Sequence, residues 1–338
     1  MTDTMDARIV YLIAFPATAV VKGQAQPPPF TKAAPYFLEL DTTLAELGQG
    51  DIAIDGVRIA VRRQLIDNQV QSVECVYALP DVLNPNSNRQ RQKLQAKLRQ
   101  WVLDEARYGG SFVEEYTAVC LDTASPDPDA FVAAHRLALA PLLRSEARTF
   151  TDSEAALIME SRAHYSDRDL TIVEWKGALI IDLDREFQSE IELLKIGNYQ
   201  ILRYRLLDRA IERNLAAIRR ELETKRHFRV TSKVLSGVLE QRLSLLLDFE
   251  KSEQTLLLIG DWYTAQLYRL IVDEFYIDEW KAAVHAKLDQ LESITDTVRE
   301  NFSLSWQRFF DFVQLVGWLF LLIGYFVLFY LDLVKLNR

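Results

Sequence analysis

The sequence predicts an α+β fold, in which a mixed α/β N-terminal domain is followed by a long-helix helical domain and one C-terminal transmembrane helix. Three observations support this prediction. Strand and helix patterns alternate up to residue 184, which is typical of a mixed domain. From residue 185 apolar side chains recur at helical spacing, and no proline follows Pro141. Residues 312–331 form an apolar run without a charged side chain. We therefore predict domains at 1–184, 185–277 and 278–338.

The apolar run FVQLVGWLFLLIGYFVLFYL, at 312–331, has the length and composition of a membrane span. A helix needs roughly 20 apolar residues to cross a hydrocarbon core about 30 Å thick, and it satisfies its own backbone hydrogen bonds there. Trp318 lies towards one end, with Tyr325 and Tyr330 towards the other, as in an interfacial belt of aromatic side chains. We expect this helix to anchor the chain in a lipid bilayer.

Charge and cysteine content limit the class of protein. The chain of 338 residues has a formal net charge of −9, which argues against a nucleic-acid partner, because such proteins gain affinity by neutralising phosphates. Cys75 and Cys120 lie far apart in apolar strand-like runs, and we expect buried free thiols, as in a reducing compartment. The N-terminus carries acidic residues before a short apolar run, unlike the basic start of a signal peptide. We predict a single-pass membrane protein with a C-terminal anchor and its soluble body in the cytoplasm.

The first predicted elements are strands. An apolar run at 8–20 is the first of them. The segment DIAIDGVRIAVRR, at 51–63, alternates apolar and polar residues on both sides of Asp55-Gly56. This dipeptide favours a two-residue hairpin turn, because both positions tolerate positive φ. Residues 69–79 form the next predicted strand, with one face made by Val73, Cys75 and Tyr77.

Helices and strands alternate in the next part of the chain. Apolar residues recur at helical spacing over 86–108, and Gly109-Gly110 is expected to end that helix. A strand is predicted over 112–121 and a helix over 129–144, which Pro141 ends or kinks.

A compact β unit is predicted after that helix. Residues 156–164 form one strand, and residues 170–175 pair with residues 178–183 across Lys176-Gly177. The mixed domain is expected to end near Asp184.

Long helices are predicted for the rest of the chain. After the helix that begins near residue 185, a second is predicted over 231–258 and a third from Tyr263. The last is expected to begin with Asp278 as its N-cap and to continue past Leu331 without a break. At 1.5 Å per residue this helix would be roughly 80 Å long.

No catalytic or metal-binding motif is evident in the sequence. It contains no Walker-type loop, no GxGxxG and no GxSxG. None of the four histidines has a second histidine or a cysteine at ligand spacing. Two minor hypotheses are a divalent-cation site at Asp182 and Asp184 and a site at His164 with Asp167 and Asp169. Acidic residues that end a strand are common, so we predict no catalytic residues, no metal site and no cofactor.

Arginines are concentrated in the helix that begins near residue 185. Acidic side chains at helical spacing, such as Glu212, can pair with them on a solvated face. The sharper hypothesis is a docking strip for an acidic partner or for lipid headgroups. The strip consists of Arg205, Arg209, Arg213, Arg219 and Arg220.

Within the predicted span, small and polar residues lie three and four positions apart and therefore share one helix face. Glycines on such a face allow close approach of another helix, and a glutamine in lipid tends to find a hydrogen-bonding partner. We predict self-association through the face made by Gln314, Gly317, Leu321, Gly324 and Leu328.

Three segments resemble the RMD1/RMND1 family, also known as DUF155 or YagE-like proteins. They are DLTIVEWKGALIIDLD at 169–184, DWYTAQLYRLIVDEF at 261–275 and KLDQLESITDTVREN at 287–301. Before the span, SLSWQRFFDF replaces the charged run that is usual in the family. The resemblance implies an α/β half, a helical half and one hydrophobic segment near the C-terminus, and it implies membrane-tethered scaffolding more than catalysis.

The leading functional hypothesis is therefore a tail-anchored, cytoplasm-facing membrane scaffold or adaptor. We expect it to be homo-oligomeric through its long helices and its span. We also expect a further protein partner, whose identity the sequence does not indicate. One alternative is a component of a CorA-like ion-transport assembly. CorA-type channels join an α/β domain to very long helices, but they have two spans and a Gly-Met-Asn motif that this sequence lacks. The other alternative is an enzyme with an unfamiliar site in the α/β domain.

Overall fold

A computed structural model describes residues 5–17, 44–122, 127–224 and 262–336, together with the single positions 240, 243 and 247. The chain divides into two compact units. Unit 1 comprises Met1–Leu207 and Phe249–Val284, and unit 2 comprises Asp208–Asp248 and His285–Arg338. The predicted domain boundaries at 184 and 277 stay predictions.

An eight-stranded sheet forms the centre of unit 1, in the order β2-β3-β4-β1-β5-β8-β7-β6. Neighbouring strands are antiparallel except β5 and β8, which are parallel. The strands are β1 (Ala7–Pro16), β2 (Leu44–Ile54), β3 (Val57–Ile66), β4 (Val70–Leu79), β5 (Glu114–Leu121), β6 (Arg162–Ala163), β7 (Asp169–Val173) and β8 (Gly177–Asp182). A mixed sheet of this kind confirms the predicted α+β class.

The predicted hairpin at Asp55-Gly56 is confirmed. Ile54 pairs with Val57, and Asp55 and Gly56 have φ angles of 52° and 80°. Positive φ at both turn positions is the geometry of a type I′ turn, whose twist matches that of the flanking strands. The turn therefore sets the register between β2 and β3 from Ile54 back to Gly48, where a bulge shifts it.

One face of the sheet packs against three helices, α1 (Pro85–Glu105), α2 (Pro128–Arg144) and α3 (Asp152–Ile158). Alternate residues of the strands point to this side. The predicted face made by Val73, Cys75 and Tyr77 lies here, in one apolar cluster with Leu98 and Leu139. This cluster is the main hydrophobic core of unit 1.

Two of these helices follow their end signals. Asn84 caps α1 by accepting a hydrogen bond from the backbone N–H of Asn86. The helix ends at Glu105, a few residues before the predicted stop at Gly109-Gly110. Pro141 lies within α2 and does not end it, because the helix continues to Arg144.

The predicted strand over 156–164 is wrong for most of its length. Residues 152–158 form α3, and β6 contains two residues only. Thr151 and Glu154 form a capping box, in which each side chain bonds the other residue's backbone N–H. The signature T-x-x-E starts a helix at this point, and it outweighs the apolar run that suggested a strand.

The other face of the sheet packs against α4 (Gln188–Thr224) and α5 (Trp262–Glu274). The apolar cluster on this side is small, with Ala14, Ile66 and Val70 from the sheet and Tyr199 and Leu202 from α4. The predicted helix over 231–258 lies outside the described residues, apart from three single positions.

The last helix, α6 (Ile277–Leu336), is continuous over 60 residues, as predicted. Its length corresponds to about 90 Å at 1.5 Å per residue. Asp278 lies in its first turn and is not the N-cap, because helical residues begin at Ile277 after a left-handed Tyr276. Within unit 2, the Lys287 side chain on α6 forms ion pairs with Asp208 and Glu212 on α4.

Candidate functional site

The predicted span lies within α6 and has no protein covering it in the described chain. Residues Phe310–Leu328 have a mean hydropathy of 1.9, and none of that window is buried. Large side chains such as Phe320 and Leu321 are 71% exposed. A monomeric soluble protein rarely exposes so long an apolar surface. One helix of the described chain is therefore long and apolar enough to cross a membrane.

The predicted packing face and interfacial aromatics lie on this exposed segment. The side chains of Gln314, Leu321 and Leu328 are exposed, as are both glycines, which have open space within 4 Å. Trp318 and Tyr325 are exposed as well. The Tyr330 side chain lies outside the described residues. Whether this face binds a second helix stays a prediction.

The arginines of the predicted strip differ in exposure and in their ion-pair partners. In unit 1, the Arg205 side chain is about one third exposed and forms an ion pair with Glu114. In unit 2, Arg209 lies 3.6 Å from Glu212, and Arg213 donates to the backbone of Arg209. Arg220 is exposed, and the Arg219 side chain lies outside the described residues. Pairing on the helix surface therefore occupies at least Arg205 and Arg209, and the docking role stays a prediction.

A buried ion cluster lies between the sheet and α4, and the sequence did not indicate it. The Lys195 ammonium group donates to the Glu192 carboxylate at 2.9 Å and to the Gln64 amide oxygen at 3.3 Å, and it pairs with Glu74. The side chains of Lys195, Glu74 and Glu192 are at most 8% exposed. Burial lowers the pKa of Lys195, but the two carboxylates outweigh burial and raise the pKa above its ordinary value. The lysine is therefore held as a cation.

A second polar contact fixes the next turn of α4. The Tyr199 hydroxyl donates to the Asp67 carboxylate at 2.5 Å, and Arg203 donates to the same hydroxyl at 2.9 Å. Asp67 and Asn68 form the tight turn between β3 and β4, both with positive φ. The turn thus places a buried carboxylate directly under α4.

Helix α5 joins the same polar layer. The Tyr263 hydroxyl donates to Glu190 on α4 at 2.9 Å and lies 3.3 Å from the Thr171 hydroxyl on β7. Gly197 on α4 faces Ile271 and Phe275, and an added Cβ would lie 2.4 Å from Ile271. Hydrogen bonds and close helix approach therefore hold α4, α5 and the sheet together.

On the opposite face, Arg91 is fully buried and serves as a cap for α2. Its guanidinium donates to the Asn88 side chain at 2.8 Å, to the Leu142 carbonyl at 3.1 Å and to the Ser145 hydroxyl at 3.2 Å. A cation is favoured at a helix C-terminus because the last carbonyls are otherwise unpaired. We interpret Arg91 as a structural residue.

In the described chain, one aspartate from each of the two minor cation-site hypotheses has a structural role. Asp169 accepts hydrogen bonds from the backbone of Tyr165 and Ser166, so it closes the loop before β7. Asp182 accepts from the backbone of Asp184 at 2.7 Å. Within the described residues, no group of three or more His, Cys, Asp or Glu side chains could hold a metal ion.

The two cysteines are buried free thiols, as predicted. Burial raises the pKa of Cys75 to about 12 and that of Cys120 still further. Because the thiolate is the reactive form, neither thiol is suited to act as a nucleophile at neutral pH.

Several of these residues have a weak signal in the sequence. Glu74 alternates with the core residues Val73 and Cys75, which places it on the other face of β4. Lys195 follows Ile191 by four positions, so it shares the apolar stripe of α4. A charged residue in such a stripe suggests a buried ion pair but does not identify the partner. Here the partner, Glu74, lies 121 residues earlier in the sequence.

Comparison with known proteins shows that the sheet-containing part of the chain is similar to one described family. Residues 35–188 match the family described as the N-terminal domain of uncharacterized protein MJ0711. The chain is 27% identical over 211 residues to uncharacterized protein MJ0711 of Methanocaldococcus jannaschii. The aligned part covers 61% of this chain and 65% of that relative, slightly under two thirds of its length. No solved structure matches the chain significantly. The body is therefore similar to a distant family without an assigned function.

Proposed function

We propose that this protein is a membrane-anchored scaffold, with Phe310–Leu328 as the span and the sheet-containing unit as its soluble body in the cytoplasm. The observation that carries the proposal is a 19-residue apolar segment of α6, none of whose window is buried in the described chain. Such a helix is stable in lipid, where its side chains need no protein cover and its backbone bonds are internal. The buried free cysteines fit a reducing compartment.

The arrangement of polar groups in unit 1 favours a scaffold over an enzyme. The buried acids and bases near α4 bind one another, as Lys195 does with Glu74 and Glu192. Catalytic groups are usually directed into a pocket that a substrate can enter. Here the pair between Lys195 and Glu74 joins α4 to β4, so its evident effect is to hold the body together.

Self-association is the second part of the proposal. The face made by Gln314, Gly317, Leu321, Gly324 and Leu328 has room for a second helix at both glycines. Its residue types suit close helix packing in lipid. The resemblance to the RMD1/RMND1 family, which implies a tethered scaffold, belongs to the same proposal.

Membrane extraction tests the anchor. We expect the full chain to float with vesicles and to resist alkaline carbonate. A double variant, Leu321→Arg with Ile323→Arg, should move to the soluble fraction, because each arginine costs about 2.5–3.5 kcal/mol at the centre of a span. The matched control is Leu137→Arg with Leu157→Arg, which changes two exposed leucines of the body and should stay in the membrane fraction. A wild-type chain that is soluble without detergent contradicts the anchor.

Crosslinking in membranes tests self-association. The wild type should give multimers, and Gly317→Leu with Gly324→Leu should reduce them, because the added side chains separate the helices. Ile323→Leu lies off that face, since it is not three or four positions from any of its members, and serves as the control. A multimer yield that is the same in all three proteins contradicts the proposed face. A closed ring of several copies would instead favour the ion-transport alternative, since a pore of single spans needs several helices around an axis.

A further inference from the structure

The exposed surface of α4 in unit 2 is basic. Among the described residues at 209–220, the exposed charged side chains are Arg209, Glu212, Arg213 and Arg220. The one acid of this set, Glu212, accepts a hydrogen bond from Lys287 at 2.9 Å, and its contact with Arg209 is longer, at 3.6 Å. Arg213 donates to the uncharged Arg209 carbonyl. The three arginines, here called the basic face, therefore carry more charge than the acid beside them can neutralise.

The exposed surface of α6 in the same unit is acidic. Among the described residues at 285–296, Asp289, Glu292 and Asp296 are exposed, and no lysine or arginine of this stretch is fully exposed. Lys287 is partly buried, because it pairs with acids of α4. The three exposed acids are here called the acidic face. Within the described chain, neither Asp289 nor Asp296 takes part in an ion pair.

The two faces lie at the same level of unit 2. Lys287 of α6 pairs with Asp208 and Glu212, which lie one turn apart on α4. The first two arginines of the basic face directly follow these two acids in the sequence. Asp289 lies two residues from Lys287, which is about 3 Å along the helix axis. The basic and acidic faces therefore begin within about one helical turn of the same height.

We propose that the basic face of α4 docks on the acidic face of α6 in a second copy of this chain. The predicted arginine strip thereby obtains its acidic partner. Copies anchored in one membrane share one orientation, so faces at the same height meet side by side. Each copy supplies both charges, and in a two-fold dimer the contact forms twice. This inference deepens the self-association part of the proposed function and rests on the membrane anchor.

The physical effect of these faces is on the choice of partner and on the register of the helices. An exposed ion pair contributes at most about 1 kcal/mol, so the charges alone do not provide a strong interface. Complementary charges steer encounter and select the correct partner, whereas like charges placed opposite each other are strongly unfavourable. Charge reversal is therefore a sensitive test of whether the two faces meet.

Crosslinking of the purified full chain in phosphatidylcholine vesicles tests the proposal, because these vesicles contain no other protein and no anionic lipid. Two double variants place like charges opposite each other: Arg209→Glu with Arg213→Glu, and Asp289→Arg with Asp296→Arg. We expect each to give about a tenfold lower yield of multimers than the wild type. An amine-reactive crosslinker is suitable, because neither variant adds or removes a lysine.

A mixture of the two double variants, with different tags, distinguishes contacts between copies from contacts within one copy. One variant has two acidic faces and the other has two basic faces, so mixed multimers should recover to the wild-type yield. Repair within a single chain cannot produce this recovery. The matched control is Arg89→Glu with Arg168→Glu, which reverses two exposed arginines of unit 1 and should crosslink as the wild type does.

An unchanged multimer yield in either double variant overturns the proposal. A mixture that stays at the low yield, with helix content intact by circular dichroism, also overturns it, because the charges then act on something other than a second copy. Flotation of the same vesicles separates this failure from failure of the anchor. A chain that does not float contradicts both the anchor and the side-by-side contact, whereas a floating chain without charge-dependent multimers contradicts this inference alone.

Discussion

Two apolar stretches of this chain have similar composition and opposite surroundings. Strand β1, ARIVYLIAFP, lies at the centre of the sheet with nearly every side chain buried. The segment Phe310–Leu328 is at least as apolar, yet none of its window is buried. The comparison shows that β1 obtains its apolar environment from other parts of the protein, whereas the segment on α6 requires one from outside the described chain.

A matched pair of substitutions should separate these two stretches, with the largest expected effect in the strand. Ile13→Asp places an unpaired charge in the core, where Ile13 has no exposed surface, and should cost more than about 4 kcal/mol and unfold the body. Leu321→Asp should change the stability of the body by less than about 0.5 kcal/mol. Circular dichroism during denaturant unfolding in micelles measures both. Equal loss in the two variants would show that the α6 segment is part of the folded core.

The next largest effect concerns the buried ion cluster on the sheet face that α4 covers. Lys195→Met should destabilise unit 1 by about 3–5 kcal/mol, because Glu74 and Glu192 are left as buried charges without their cation. Lys97→Met removes an exposed lysine that pairs with Asp55 and should cost less than about 1 kcal/mol. Urea titration compares the two. A small effect for Lys195→Met would mean that water reaches the cluster.

The pH dependence of unfolding should reveal a smaller effect on stability, from two partly buried glutamates. Burial raises the pKa of Glu114 and of Glu174 above the ordinary value of 4.5, although Arg205 and Arg144 oppose the rise. Above pH 4.5 the folded state then binds more protons than the unfolded state. Stability from these groups therefore falls as pH increases through that window, by less than about 1.4 kcal/mol per pH unit for each group.

Glu174→Gln isolates one of these contributions. The variant should lose the part of the pH slope that Glu174 supplies just above pH 4.5, while the part from Glu114 stays. Unfolding free energies at several pH values measure the difference. If the slope is the same in both proteins, Glu174 does not change its pKa on folding.

The smallest predicted effect tests the helix that sequence patterns missed. Thr151→Ala removes the N-cap of α3 and should cost about 1 kcal/mol. Ser153→Ala, in the same first turn, removes only an exposed 3.3 Å contact with the Thr151 hydroxyl and should be near neutral. Thermal unfolding in micelles compares the two variants. Equal stability would show that packing alone holds α3.

Sequence reasoning succeeded where a few neighbouring residues decide the structure. The Asp55-Gly56 turn, the long proline-free helix α6 and an apolar segment long enough to cross a membrane depend on local composition, and the structure has each of them. It failed at residues 156–158, where an apolar run was given more weight than the capping box of Thr151 and Glu154.

The buried ion cluster between the sheet and α4 was not predicted, and the reason is different. Alternation along β4 shows that Ser72 and Glu74 share a face, but it does not show that α4 covers that face. The ion pair between Glu74 and Lys195 depends on tertiary packing of residues far apart in the chain. Periodicity within one element contains no information about such a partner.

Cysteine accessibility across the anchor tests the central claim most directly. The native thiols Cys75 and Cys120 are buried, so a single introduced cysteine can be labelled selectively in membrane vesicles. We predict that Leu321→Cys resists a membrane-impermeant maleimide until detergent is added, whereas Gln266→Cys, on the exposed side of α5, reacts in vesicles that present the body to solvent. Labelling of Leu321→Cys in intact vesicles at the rate of Gln266→Cys would contradict a membrane-spanning anchor.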